Sequence, residues 1–179
     1  MAALTADGMI RIALEHPIYH LPVSVRAAAP ADEGFIFSGW LRSLADQPPF
    51  RDLLESRGLD RNWYSAAQHA LISRLLARAS VRVLAATSPQ HPDHLIGFMV
   101  FEPAERVVHW IYVKKGAKVG LGFRCAGVAT RLMIAAFGER SAEPVTASIR
   151  TATGTALASK WSERWPITFR SHRLCEEQP

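Results

Sequence analysis

The segment from Arg124 to Ala129 combines a cation with two residues of minimal bulk, directly before a helix-forming stretch. It reads Arg-Cys-Ala-Gly-Val-Ala. A helix N-terminus has N–H groups without intrahelical partners and partial positive charge, so it binds phosphate. A larger side chain at Gly127 would keep phosphate oxygens from these amides, although the helix itself should tolerate the change. The spacing therefore predicts a pyrophosphate site at this turn.

The charge distribution also favours an anionic ligand. The 179 residues carry 21 Lys plus Arg and 16 Asp plus Glu, a formal net charge of +5. Residues 110–179 hold eleven basic and five acidic side chains, whereas residues 1–109 are close to neutral. All four lysines lie in the basic half: Lys114, Lys115, Lys118 and Lys160. Such a surface attracts nucleic acid, anionic lipid or a phosphorylated small molecule, and net charge alone does not choose among them.

Hydrophobic periodicity predicts the elements that must position these residues. The expected order is β-α-α-β-β-β-α-β-α-β, with three successive antiparallel strands and a turn-rich loop over 88–94. In the second helix, a single apolar face is expected from Trp63, Ala67, Ala70, Leu71, Leu75 and Leu76. This order indicates an α+β fold, a single domain with a mixed central sheet flanked by helices. We expect an N-terminal segment over 1–21 and this domain over 22–179.

Composition excludes several classes of protein. At 49% hydrophobic and 21% charged residues, the chain is typical of a folded globular domain and unlike a disordered or disulfide-stapled one. No apolar run reaches the 18 residues typical of a membrane-spanning helix, and the N-terminus does not have the pattern of a secretory signal. Two cysteines without framework spacing favour reduced thiols, so we expect a cytoplasmic protein that does not use a membrane.

The pattern Arg-x-x-Gly-x-Ala, between a strand containing Trp-Ile-Tyr-Val and an amphipathic helix, resembles motif A of the GNAT superfamily of N-acetyltransferases. The element order over about 22–172 is also similar to that fold. The resemblance implies acetyl-CoA or another acyl-CoA as co-substrate and no metal. The strand backbone at Ile111, Tyr112 and Val113 would hold the pantetheine arm. The pyrophosphate would lie against Arg124, Cys125, Ala126, Gly127, Val128, Ala129 and Thr130.

Two features depart from the family pattern. The loop from Lys114 to Phe123 is long, and Gly120 with Gly122 offers a competing anion site. The tyrosine that the family often uses as general acid on the helix after the fifth strand is missing from 154–166. A thiolate is a fair leaving group, and correct placement of the amine supplies much of the acceleration, so acyl transfer tolerates this loss.

Three residues are candidates for acid–base catalysis: His109, Glu102 and Tyr112. The ordinary pKa of histidine suits His109 to take a proton from an ammonium near pH 7, and the alternative is a half-buried histidine bonded within the sheet. Glu102 would act through a water, or would simply be solvated at the strand end. Tyr112 is either a proton donor or a core aromatic residue.

Other reactive residues carry weaker patterns. Cys125 at a helix N-terminus would have a lowered pKa, but no spacing suggests partners for covalent catalysis. His91, Asp93 and His94 lie close together, yet nothing completes a metal-ligand pattern, and a solvated turn is the simpler interpretation.

The sequence therefore favours an acyl-CoA-dependent N-acyltransferase with an unknown amine acceptor. A second hypothesis follows from the basic half and a similarity to phage- and prophage-type members of the superfamily: a DNA-base modification enzyme of the Mom type. The third is a non-catalytic binding module that keeps the fold. Nucleic acid as a partner and a homodimer both stay open.

Overall fold

A computed structural model of the chain describes residues 22–45, 47, 51–52, 55–56, 58, 61–114 and 127–170. Its strands are β1 (Ser24–Ala27), β2 (Arg82–Ser88), β3 (His91–Glu102), β4 (Val107–Val113), β5 (Val145–Ala147) and β6 (Ile167–Phe169). The four longer helices are α1 (Glu33–Ala45), α2 (Arg61–Leu76), α3 (Val128–Phe137) and α4 (Ala152–Trp161). Their order confirms the predicted α+β arrangement.

The six strands form one mixed sheet in the order β1-β2-β3-β4-β5-β6. Strands β1 to β4 pair antiparallel, which confirms the predicted meander, while β4, β5 and β6 pair parallel. The two parallel connections run through α3 and α4, as parallel strands require. Helix α3, whose first turn the sequence predicts to bind phosphate, therefore lies in the first of these two connections.

The predicted loop over 88–94 is wrong. Strand β3 already begins at His91, and only Pro89 and Gln90 form the turn that joins it to β2. Pairing of Ser88 with His91 extends the hairpin through a polar segment whose side chains are exposed. Backbone pairing with the neighbouring strand thus overrides the turn-forming composition.

Two hydrophobic clusters cover the two faces of the sheet. Helices α3 and α4 close one face, where Leu132 and Trp165 have no exposed surface. Helices α1 and α2 close the other, where the rings of Trp40 and Trp110 stack with centroids 5.7 Å apart. Such a pair contributes about 0.5–1.5 kcal/mol beyond the area that it buries. Both faces of β4 are therefore covered.

The predicted face of α2 is correct only in part, because Leu75 and Leu76 pack against the hydrophobic cluster of α1 but the other described residues of that face do not. The helix is buried through Tyr64 and Ile72, whereas Ala70 is exposed and the side chain of Leu71 has 51% of its surface exposed. The side chain of Trp63 lies outside the described part. Successive helical residues are about 100° apart, so a small rotation of α2 toward α1 exchanges neighbouring positions between core and solvent. Periodicity in a weakly amphipathic helix did not determine this rotation.

None of the described helices combines the length and the apolar character that crossing a bilayer requires.

Gly97 in β3 lies where the backbone of β4 approaches α3. A Cβ atom there would meet the carbonyl oxygen of Tyr112 at 2.7 Å and Cγ1 of Val128 at 3.3 Å. We expect Gly97→Ala to lower the free energy of unfolding by about 1–3 kcal/mol, measured by urea denaturation. Gly34→Ala is the matched control, since a Cβ there meets nothing within 4 Å, and it should be neutral or stabilising by up to about 1 kcal/mol. Equal stability of Gly97→Ala and the parent would contradict this packing.

Candidate functional site

Strands β4 and β5 are paired over only two positions. Val107 pairs with Thr146 and Val108 with Ala147, after which β5 ends while β4 continues to Val113. The last backbone bond between these segments runs from Ser148 N–H to the Val108 carbonyl, at 2.9 Å. Residues 109–113 therefore extend past their parallel neighbour and border a gap in the sheet.

This gap is a cleft of about 250 Å³. On the α3 face its walls include Ala129, Met133 and Leu157. On the α1 face they include Ser43 and Gln47. The exposed edge of β4, from His109 to Val113, forms the wall between the two faces. The cleft thus reaches from one face of the sheet to the other.

The predicted residues of β4 come together in that wall. Ile111, Tyr112 and Val113 all line the cleft with His109. The ring of Tyr112 also packs against Phe98, with centroids 5.5 Å apart. Tyr112 is therefore both a core aromatic residue and a wall of the cleft, and its role as proton donor stays a prediction.

His109 and Glu102 form a buried pair. Nε2 of His109 lies 2.9 Å from Oε1 of Glu102, and both side chains are 8% exposed. Their approach depends on a bulge: Val100 pairs with Trp110 and Phe101 with Val108, so β4 holds one extra residue at His109. The bulge interrupts the alternation of side chains along β4 at this residue. Glu102 is consequently a partner of His109 and not a solvated carboxylate.

The environment sets the charges of the pair. Burial lowers the pKa of His109 below its ordinary 6.5, against the opposing hydrogen bond to Glu102. Burial raises the pKa of Glu102, but hydrogen bonds from His109 and Ser80 outweigh it, so that this pKa lies below its ordinary value. At neutral pH, Glu102 is ionised and His109 neutral. Because an ionised carboxylate only accepts hydrogen bonds, Nε2 donates the proton and Nδ1 is left as the acceptor.

A cationic side chain also lies near the carboxylate of Glu102. Arg78 follows α2 along the chain, and its Nη1 atom lies 3.8 Å from Oε1 of Glu102, while the arginine side chain is 62% exposed. This contact is long and solvated, so it contributes little energy. The arrangement is a neutral imidazole, oriented by a carboxylate, in the wall of an apolar cleft. Such an imidazole can accept a proton through Nδ1.

Gly127 is the N-cap of α3. Its φ of +71° lies in the left-handed region, where a glycine has no steric penalty. The expectation that the helix tolerates any side chain at this position is therefore wrong, because most L residues are strained at this angle. Asp and Asn are the exceptions that adopt it most readily.

The first turn of α3 borders the cleft. The first hydrogen bond of the helix runs from Arg131 N–H to the Gly127 carbonyl at 3.0 Å, so the amides of residues 128–130 precede the regular ladder. Among these residues, Ala129 lines the cleft. The side chain of Val128 is fully buried, and Thr130 Oγ1 accepts a hydrogen bond from Trp161 Nε1 at 3.1 Å. A phosphate in this position would meet backbone groups and not these two side chains.

The remaining residues of the predicted phosphate site lie outside the described residues: Arg124, Cys125, Ala126, Lys115, Lys118, Gly120 and Gly122. Lys114 is described, and its Nζ atom donates to Nε2 of His94 at 3.2 Å. Within the described ranges, no group of three or more His, Cys, Asp or Glu residues is placed to hold a metal ion.

The sequence did not point to Ser43, Gln47, Ile149 or Thr153 as cleft residues. Ser43 and Gln47 lie at the end of α1, more than sixty positions before His109. Trp110 Nε1 donates to Ser43 Oγ at 3.2 Å and joins this helix end to β4. Sequence spacing carries no signal for such a contact.

No protein-family model matches the chain, and no curated protein does. Among solved structures, the chain matches the crystal structure of a ribosomal-protein-alanine N-acetyltransferase from Brucella melitensis biovar Abortus 2308. The match has 19% sequence identity, covers 86% of this chain and 83% of that chain, and has a TM-score of 0.35. A TM-score this low supports no argument about function.

The buried His109–Glu102 pair should make the stability of the fold depend on pH. Because the pKa of His109 is lower in the folded than in the unfolded chain, the unfolded chain binds more protons just below pH 6.5. Stability should therefore fall as the pH is lowered from 6.5 toward the folded pKa, by about 1.4 kcal/mol for each tenfold difference in proton affinity.

We expect His109→Gln, which keeps a hydrogen-bonding side chain but does not titrate, to flatten this part of the curve. Urea denaturation at a series of pH values measures it. His91→Gln, at an exposed histidine, is the control and should leave the curve unchanged. If the free energy of unfolding of His109→Gln depends on pH as steeply as that of the parent, the pH dependence does not come from this residue.

Proposed function

We propose that this protein is an acyl-CoA-dependent N-acyltransferase that moves an acetyl or similar acyl group to an amine. The observation that carries the proposal is the cleft where β4 extends past β5. It has the first turn of α3 at its border, and in its wall lies His109, which is hydrogen-bonded to Glu102 behind it. The Arg-x-x-Gly-x-Ala pattern before α3 supports the same proposal.

The residues present fit the coenzyme. A pantetheine arm is an extended chain with amide groups, which needs apolar walls and a strand edge. Lys114 N–H donates to the Ile96 carbonyl of β3, and Tyr112 pairs with Phe98 of the same strand. Because the backbone groups of successive strand residues point in opposite directions, those of Ile111 point away from β3 and toward the cleft. Met133 and Leu157 contribute to the apolar wall of the cleft. The backbone at residues 111–113 would hold the arm, and the amides at 128–130 the pyrophosphate.

When bound, the coenzyme supplies a thioester carbonyl whose carbon bonds to the amine nitrogen as the C–S bond breaks. Nδ1 of His109 accepts the proton that the amine nitrogen loses. Glu102 keeps the ring oriented through Nε2 and stabilises its positive charge once it is protonated. Tyr112, in the same wall, is the proton donor that we propose for the departing thiolate. The burial of both partners makes the base pre-organised.

Gly127→Asp tests the coenzyme site. Aspartate tolerates a positive φ and suits a helix N-cap, so the variant should fold, but its charge and bulk would repel a pyrophosphate. We expect saturating acetyl-CoA to raise the Tm of the parent, with about 2.7 kcal/mol of stabilisation at 100 times the Kd. Gly127→Asp should lose most of this shift. Gly58→Asp, at a φ of +59° in open space, is the control and should keep it.

The same thermal measurement separates the other hypotheses. Desulfo-CoA should stabilise the parent as acetyl-CoA does, because the arm and pyrophosphate are shared. A parent stabilised by duplex DNA but by neither coenzyme would favour a nucleic-acid-binding protein. If Gly127→Asp binds acetyl-CoA as tightly as the parent does, the pyrophosphate lies elsewhere.

His109→Gln tests the base. Loss of a general base lowers kcat by about 10²–10⁴-fold, and this variant should do so with little change in acetyl-CoA affinity. Glu102→Gln should lose less activity, because Nδ1 remains, but its pH–rate profile should shift since the neutral amide no longer stabilises the charged ring. Rates are measured as the release of the free coenzyme thiol in the presence of a panel of primary amines. Full activity of His109→Gln from pH 6 to 9 would leave only a structural role for the histidine.

A further inference from the structure

Among the described residues, none of those lining the end of the cleft on the α1 face is charged, and most are aromatic or aliphatic. Its described lining consists of Ser43, Gln47, Trp110, Tyr112 and Ile149. Among the described residues that line the whole cleft, none is Asp, Glu, Lys or Arg, and His109 is the only histidine. This end therefore offers two aromatic rings, a branched aliphatic side chain, a hydroxyl and an amide.

The polar groups here are held by neighbours. Ser43 Oγ donates to the Gly39 carbonyl at 2.7 Å and accepts from Trp110 Nε1 at 3.2 Å. Gln47 Nε2 donates to the Ser43 carbonyl at 3.2 Å. Glu102 does not line the cleft and is bonded to His109 and Ser80. No described carboxylate at this end is available to pair with a cation.

This lining discriminates between amines by their charge. A buried ammonium without a counter-ion costs several kcal/mol, whereas an uncharged amine enters without that cost. A lysine side chain, with an ordinary pKa near 10.4, is almost entirely charged at pH 7. An amine attached directly to an aromatic ring is far less basic and enters uncharged, and its ring suits walls made by Trp110 and Tyr112.

We propose that the acceptor of this cleft is a weakly basic primary amine carried on a flat aromatic ring, and not an alkylammonium. This inference rests on the proposed acyltransferase function. The amine nitrogen bonds to the acyl carbon, the C–S bond breaks, the thiolate leaves, and the proton from nitrogen goes to Nδ1 of His109. A base of low proton affinity suffices, because the nitrogen becomes strongly acidic as it bonds to the acyl carbon.

Competing acceptors test the proposal. The full chain is given acetyl-CoA with an aniline-type amine, an alanine dipeptide with a free α-amino group, or a lysine amide blocked at its α-amino group. We expect kcat/KM for the aryl amine to exceed that for the lysine compound by about tenfold or more at pH 7, after subtraction of the uncatalysed rates.

Gln47→Glu should then change the preference. It places a carboxylate of nearly the same shape at the cleft and should raise the lysine-to-aryl ratio of kcat/KM by about tenfold. Gln90→Glu makes the same change at an exposed turn outside the cleft and should leave the ratio unaltered. The thermal shift with acetyl-CoA verifies that each variant is folded and binds the coenzyme.

The outcomes separate this inference from the function on which it rests. If acetyl-CoA stabilises the protein and the lysine compound or the dipeptide is the better acceptor, the inference is overturned and the acyltransferase stands. Coenzyme binding without acylation of any of the three amines also overturns it. If acetyl-CoA does not bind at all, the proposed function fails and the inference with it.

Discussion

The two-position pairing between β4 and β5 is the constraint on which the rest of the structure depends. At its closed end, Arg106 holds the strands together: its carbonyl accepts from Thr146 N–H at 2.9 Å, and its guanidinium donates to the carbonyls of Glu143 and Pro144. The same guanidinium lies over the ring of Phe137, and the backbone φ of Arg106 is +53°. This strained turn is stabilised by several contacts at once, and β5 is only three residues long. A cleft forms because the strands β4 and β5 are hydrogen-bonded at one end and not at the other.

Burial and hydrogen bonding act in opposite directions on the protonation of His109 and Glu102. Their balance sets the charge of each side chain. Burial favours the neutral form of both His109 and Glu102, whereas their contact favours charge on both. For the histidine burial dominates, and for the carboxylate the hydrogen bonds dominate. The result is an imidazole that is uncharged at neutral pH and hydrogen-bonded to an ionised carboxylate. The bulge in β4 lies at His109, the residue that makes this contact with Glu102.

The two hydrophobic clusters keep the cleft in place from both sides. Trp161 belongs to the cluster on the α3 face, and its indole N–H bonds to Thr130, which ties α4 to the first turn of α3. Trp110 belongs to the other cluster, and its indole N–H bonds to Ser43 at the end of α1. Each tryptophan thus buries a large apolar surface while its polar edge links two elements that border the cleft. The site therefore depends on packing at both faces.

Periodicity and turn chemistry in the sequence determined the order of the elements, the antiparallel meander and the start of α3 after a glycine, because these features depend on neighbours within a few residues. The types of His109, Tyr112 and Gly127 also marked them as candidates. Contacts between distant segments decided the rest. The rotation of α2, the early start of β3, the burial of Glu102 against His109 and the entry of Ser43 and Gln47 into the cleft all require one element to pack on another. Such contacts produce no recognisable pattern of residue spacing in the sequence, since their energy comes from surfaces that meet only after folding.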